Sequence, residues 1–200
     1  RGVHGEYTDI YLPLHGAHQA ANAAVAIATV EAFVGVKLDE ELVRAAFASV
    51  SSPGRLEILH RDPTVIIDAA HNPHGVSAIA NTLNTEFDFE LVVGVVAVLA
   101  DKDVAGILKN LSTTLDYLVI TENGSNRAMN KDELAKIASQ YFKAEQVEII
   151  GDMNSAITYA IEKVALYNQV NDGVAAVVIT GSVATAGMAR SIIKGLARVK

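Results

Sequence analysis

The chain has 200 residues, half of them hydrophobic and one-fifth charged, with a formal net charge of -7 and no cysteine. That composition can bury a large core, and it excludes disulfides, cysteine-ligated zinc or iron–sulfur centres and a thiol nucleophile. The acidic balance argues against nucleic acid or an anionic membrane as partner, yet leaves room for a small phosphate at a local site.

The chain opens on "RGVHGEY", without a methionine or a charged leader. This reads as a boundary inside a longer protein, and the lack of cysteine makes a cytoplasmic setting the expectation. "YLPLHG" (11–16) predicts a strand or an extended entry. The alanine-rich run 17–35 predicts a helix stopped by Gly35. Residues 38–50 predict a second helix capped by Asp39. "SSPG" (51–54) then punctuates the chain, and a strand–helix rhythm begins.

Strands are expected at 55–61, 64–70, 90–99, 116–121, 146–150 and 173–180. Helices are expected between them at 73–87, 103–111, 130–142 and 152–169, with a last one at 186–198. Pro73 opens the first of these helices, where a missing N–H costs nothing. Asn130 and Glu133 form a capping pattern for the third. Strands apolar on both faces, alternating with helices, specify a Rossmann-like α/β fold: a mostly parallel six-stranded sheet with helices on both faces. The apolar run at 91–100 is too short to span a membrane as a helix.

Ligands of such sheets sit beyond the carboxyl ends of the strands. Polar residues gather there: Asp68 and His71; Asp101, Lys102 and Asp103; Thr121 to Ser125; Asp152; and Thr180 to Ser182. The competing reading is that these residues only cap helices and close turns. His71 and His74 are spaced for one helix face, but Pro73 lies between them and no further ligand set is evident, so no metal is expected on them. There is no G-x-G-x-x-G, no G-x-x-x-x-G-K-[ST] and no G-x-S-x-G. That disfavours a dehydrogenase or an α/β-hydrolase and excludes a complete P-loop ATPase within this stretch.

Six segments, in order, carry a resemblance: "LPLHGAHQAANAAVA" (12–26), "SPGRLE" (52–57), "DAAHNPHG" (68–75), "LADKDV" (99–104), "TENGSNRA" (121–128) and "TGSVATAG" (180–187). Together they make the chain resemble the C-terminal part of bacterial folylpolyglutamate synthase / dihydrofolate synthase, in the Mur ligase superfamily. The resemblance implies that residues 1–51 end a central ATPase domain and that 52–200 form the C-terminal α/β domain. It implies an ATP- and Mg2+-dependent ligase joining L-glutamate to dihydropteroate or a folate through an acyl phosphate, with a monomeric chain expected.

By the same resemblance, His18, Gln19 and Asn22 shape the adenine pocket, Arg55 reaches the ATP phosphates and Asp68 binds ribose. His71 lies near the acyl phosphate and the incoming glutamate. Ser182 and Arg127 belong to the glutamate pocket, and Lys102, with Asp101, supports the nucleotide side. Ala69 and Ala97 stand where the family commonly has glycine, and Met188 where an acid is usual. The P-loop and most of the pterin-binding region are missing, so this stretch alone is expected to be inactive. A peptidoglycan-type amino-acid ligase and a non-catalytic nucleotide-binding module remain open as alternatives.

Overall fold

The computed structural model describes residues 1–171 and 173–196. The chain divides into two compact units, Arg1–Pro53 and a second that starts at Gly54.

The first unit holds α1 (Ala17–Val34) and α2 (Glu40–Ala48). Gly35 ends α1 in the left-handed conformation, and Asp39 caps α2 by accepting from the Leu42 N–H. Residues 11–16 form no strand; they run as irregular backbone into α1. Inside this unit Glu31 is fully buried. It accepts from the His4 N–H and the Tyr7 hydroxyl, and Tyr7 in turn accepts from the Leu38 N–H. A buried carboxylate is tolerable only when its oxygens are occupied in this way.

The second unit runs β1 (Glu57–Arg61), β2 (Thr64–Ile67), α3 (Pro73–Glu86), β3 (Leu91–Val96), α4 (Val104–Leu111), β4 (Tyr117–Ile120), α5 (Lys131–Ala138), β5 (Val147–Ile149), α6 (Met153–Val170), β6 (Ala175–Thr180) and α7 (Val183–Leu196). All six expected strands and the helices between them are present, mostly with shorter ends. The last helix starts earlier than expected, at Val183, and the end of that expectation lies outside the described residues.

The strands form one sheet in the order β1-β2-β6-β3-β4-β5. All neighbours are parallel except β1, which pairs antiparallel with β2. Alternate side chains serve two cores, as the pleat requires. Ile66, Val92, Val96, Leu118, Ile120 and Val178 face α3, α4 and α5. Val65, Ile67, Val93, Val95, Val119, Val177 and Ile179 face α6 and α7. Burial on both faces explains why these strands read as continuous apolar runs. Among the described residues, no helix is long and apolar enough to cross a membrane.

Two features of this topology build the site. The connection after β5 returns to the middle of the sheet, so β6 lies between β2 and β3. Loops after β2 and β3 lead to one helical layer, and the loop after β6 leads to the other, which opens crevices at the carboxyl edge. The antiparallel β1 then brings its starting end, with Arg55 just ahead of it, to that same edge: Glu57 lies opposite Ile67, the last residue of β2.

Candidate functional site at the carboxyl edge of the sheet

The "PGRLE" segment forms a tight arch. Gly54 has φ +72° and Leu56 has φ +44°, both in the left-handed region. Glycine accepts that conformation, whereas leucine is strained by it. The arch is nevertheless held at each point. The Gly54 N–H donates to Glu57 Oε2 at 2.9 Å, and the Gly54 carbonyl accepts from the Ala69 N–H at 2.8 Å. The Leu56 N–H donates to Asp68 Oδ2 at 2.8 Å, and the Leu56 side chain is buried in the core. Arg55, at the crown, is exposed and makes no hydrogen bond or ion pair among the described residues.

Asp68 is buried just past the end of β2. Its other oxygen accepts from the Ala70 N–H at 2.7 Å. Both carboxylate oxygens thus hold main chain, one on the arch and one on the loop leading to His71. His71 is half-buried, with Nδ1 3.0 Å from the Ala69 carbonyl. A carbonyl can only accept, so Nδ1 carries a proton, and in the neutral ring Nε2 is left as the acceptor. Asn72 caps α3 through the Gly75 N–H at 2.8 Å.

The loops after β3 and β4 are stitched together. Ala100 N–H donates to the Arg127 carbonyl, and Met129 N–H to that of Val98, each at 2.9 Å. Across the seam, Asp101 Oδ2 meets Lys102 Nζ at 3.2 Å and the Arg127 guanidinium at 2.7 Å. The hydrogen bond from Lys102, aided by the one from Arg127, holds the Asp101 carboxyl below the usual aspartate range. The two predicted anion-binding cations are therefore brought together, on one carboxylate. Asp103 instead caps α4 through the Gly106 N–H.

Ser182 opens α7 and is buried. Its Oγ accepts from the Thr185 N–H at 3.0 Å and from Asn123 Nδ2 at 3.0 Å, and lies 2.7 Å from Thr185 Oγ1. Thr185 Oγ1 spends its proton on the Ala97 carbonyl at 2.7 Å, so the Ser182 hydroxyl must donate to Thr185. Asn123 Nδ2 uses its second proton on Thr185, and its Oδ1 accepts from the Ser125 N–H. Every donor and lone pair on Ser182 is committed. The network joins the ends of β3, β4 and β6.

In the first unit, His18 is half-buried, Gln19 buried and Asn22 exposed. The Asn22 side-chain amide donates to Gln19 Oε1 at 3.3 Å, one turn back along α1.

Three residues in these arrangements escape sequence reasoning: Glu57, Thr185 and Arg190, which pairs with Glu57. Glu57 and Thr185 stand inside recognisable segments. Arg190 carries no local signal, because its partner is 133 residues away. Two of the departures from the family pattern cost little here. Ala69 and Ala97 enter the site through main-chain groups, which a glycine would supply equally.

The fold and this edge define a class: the chain belongs to the Mur ligase family, matching its glutamate ligase domain over residues 54–183. Within that class it is similar to the dihydrofolate synthase/folylpolyglutamate synthase of Mycobacterium tuberculosis, with 50% identity over 202 residues covering 96% of this chain and 42% of that protein. The crystal structure of the folylpolyglutamate synthase from that organism, complexed with ADP and AMPPCP, superimposes with a TM-score of 0.93 at 52% identity, covering 96% of this chain and 43% of the other. Escherichia coli FolC in complex with DHPP and ADP gives a TM-score of 0.81 at 26% identity, covering 99% of this chain and 43% of the other. The chain thus spans less than half the length of the proteins it matches.

Proposed function

We propose that this chain is the carboxyl-terminal part of an ATP-dependent ligase that joins L-glutamate to the carboxylate of dihydropteroate, of tetrahydrofolate, or of both. One observation carries the reading. At a single sheet edge stand an arginine on a strained arch, without a partner among the described residues, a histidine with Nε2 left as acceptor, and a lysine–arginine pair on one aspartate. The 50% identity to a dihydrofolate synthase/folylpolyglutamate synthase supports the substrate class.

A carboxylate is a poor electrophile. ATP converts it by transferring its γ-phosphoryl group, giving an acyl phosphate and ADP. The neutral amine of glutamate then attacks the acyl carbon, the C–O bond to phosphate breaks, and the amine gives up a proton. Arg55 faces the transferring phosphoryl oxygens, where a fixed cation offsets growing negative charge. His71 Nε2, as acceptor, lies on the side of the incoming amine. Arg127 and Lys102 offer positive charge to the carboxylates of glutamate and to the nucleotide. Ser182 acts in the glutamate pocket by holding the loops around it, since its own hydroxyl is spent.

Residues 1–51 are the end of the ATPase domain in this reading, with His18, Gln19 and Asn22 on the adenine side. The first unit's surface supports this. An open apolar groove of about 370 Å³ runs between α1 and α2, lined by Ile27, Val30, Leu42 and Phe47, and Phe33 on α1 is 90% exposed. Helices that expose this much apolar surface belong against further protein. Among the described residues no three His, Asp or Glu side chains cluster as a metal site requires. Magnesium would be held by residues elsewhere in the longer protein and would offset the charge of the ATP phosphates.

The test is glutamate-dependent ADP release by the chain joined to its ATPase domain. Release with dihydropteroate or tetrahydrofolate as acceptor is expected. Release only with a nucleotide-sugar acceptor would move the protein to the peptidoglycan branch. The 200-residue chain alone should show no turnover and bind ATP–Mg only weakly in a calorimetric titration; micromolar binding with turnover would overturn this division of labour.

A further inference from the structure

The arch that carries Arg55 has a support that no motif announces. Glu57 receives the Gly54 N–H on Oε2, which closes the turn. The same carboxylate takes the Arg190 Nε–H, 3.1 Å from each oxygen. Arg190 stands on α7, whose first turn is locked by the Ser182, Thr185 and Asn123 network. A continuous chain of bonds therefore runs from the middle of the sheet edge, along α7, to the underside of the arch.

The pair is half-open to solvent, with side-chain exposures of 37% for Arg190 and 22% for Glu57. Exposed ion pairs add little to global stability. The arch has a more specific need. Leu56 is held at positive φ, a conformation non-glycine residues keep only where their surroundings over-determine it. If Glu57 swings away, the Gly54 N–H loses its acceptor and the turn can relax. Relaxation redirects the Cα–Cβ bond of Arg55, whose side chain has no tether among the described residues.

We propose that Glu57 and Arg190 are positioning residues for Arg55: their ion pair holds the arch so that the guanidinium leaves the sheet edge in one fixed direction. This rests on the reading of Arg55 as the phosphate-facing cation. It assigns the two residues an effect on turnover rather than on nucleotide affinity.

The experiment is a double-mutant cycle in the longer ligase, with Arg55→Ala, Arg190→Met and the two combined. Arg55→Ala should lower kcat by about a hundredfold, the size expected for losing a charge-stabilising group. Arg190→Met should lower kcat by about tenfold through misplacement, with the KM for ATP changed by less than about threefold. Combined with Arg55→Ala, it should slow the enzyme no further. Arg190→Lys should recover part of the loss, because an ammonium can still meet Glu57. Glu57→Gln should behave like Arg190→Met, since it keeps an acceptor for Gly54 but loses the charge. That variant carries the test should Arg190→Met fail to fold. Native kcat in both Arg190→Met and Glu57→Gln, or losses that multiply on the Arg55→Ala background, would overturn the positioning role. Native kcat in Arg55→Ala alone would overturn the reading beneath it, and that result is seen with Glu57 and Arg190 intact.

Discussion

Ser182 shows how a polar residue at a site can be spent on architecture. Its hydroxyl accepts from Asn123 and the Thr185 N–H, and donates to Thr185. Removing it leaves buried donors without acceptors and strips α7 of its cap. Ser182→Ala should therefore cost about 1–3 kcal/mol in urea unfolding. A direct glutamate contact alone would raise the KM for glutamate and leave stability untouched. Asp101 behaves differently because it is accessible. Its carboxyl titrates below the usual aspartate range, held there by Lys102 and Arg127. A group depressed by folding stabilises the fold above its unfolded pKa and loses that contribution as pH falls through the folded value. The tie between the two loops is thus complete at neutral pH and opens only in acid. Titration of Asp101 by NMR should give a midpoint below that of free aspartate, and Arg127→Ala should raise it. An ordinary midpoint in the native protein would mean that the two cations do not bind there.

At the scale of elements, the turn after β6 is the least forgiving. Gly181 has φ +114°, and a Cβ there would lie 2.6 Å from the Ala97 carbonyl oxygen. Neither that backbone nor the neighbouring strand end can give way without disturbing the Ser182 network. Gly181→Ala should destabilise the fold by more than about 2 kcal/mol or abolish soluble expression, combining conformational strain with a main-chain clash. Unchanged thermal unfolding would contradict the geometry. The elements themselves are legible in the sequence because burial on both faces makes each parallel strand a continuous apolar run. Helix starts are legible for a local reason: Asn72, Asp103, Asn130 and Asp152 each accept from an N–H two or three residues on. Many polar residues after the strands are thus caps, as the competing reading held. What local pattern hides is long-range pairing. Nothing near Arg190 points to Glu57, and nothing near Ser182 points to Asn123. Nor does the arch's backbone show in its letters, since a leucine at positive φ breaks the usual preference.

At the scale of the molecule, the two units have different standing. The second closes its own sheet between two helical layers, with both cores complete. The first has one buried carboxylate network and an open apolar groove. A chain starting at Gly54 should therefore unfold cooperatively on its own, whereas residues 1–53 alone should not. A circular-dichroism melt of each separates these cases, and a molten second unit would contradict its description as a complete core. The catalytic reading needs the longer protein, and it comes down to whether Arg55 acts on the phosphoryl group. The most direct measurement is the transfer of 18O from a labelled dihydropteroate carboxylate into phosphate, followed by 31P NMR in the native ligase and in Arg55→Ala. With Arg55 facing the phosphoryl group, native protein places one 18O in each phosphate released, and Arg55→Ala does so about a hundredfold more slowly. Phosphate without label, or labelled phosphate formed at the native rate by Arg55→Ala, would contradict it.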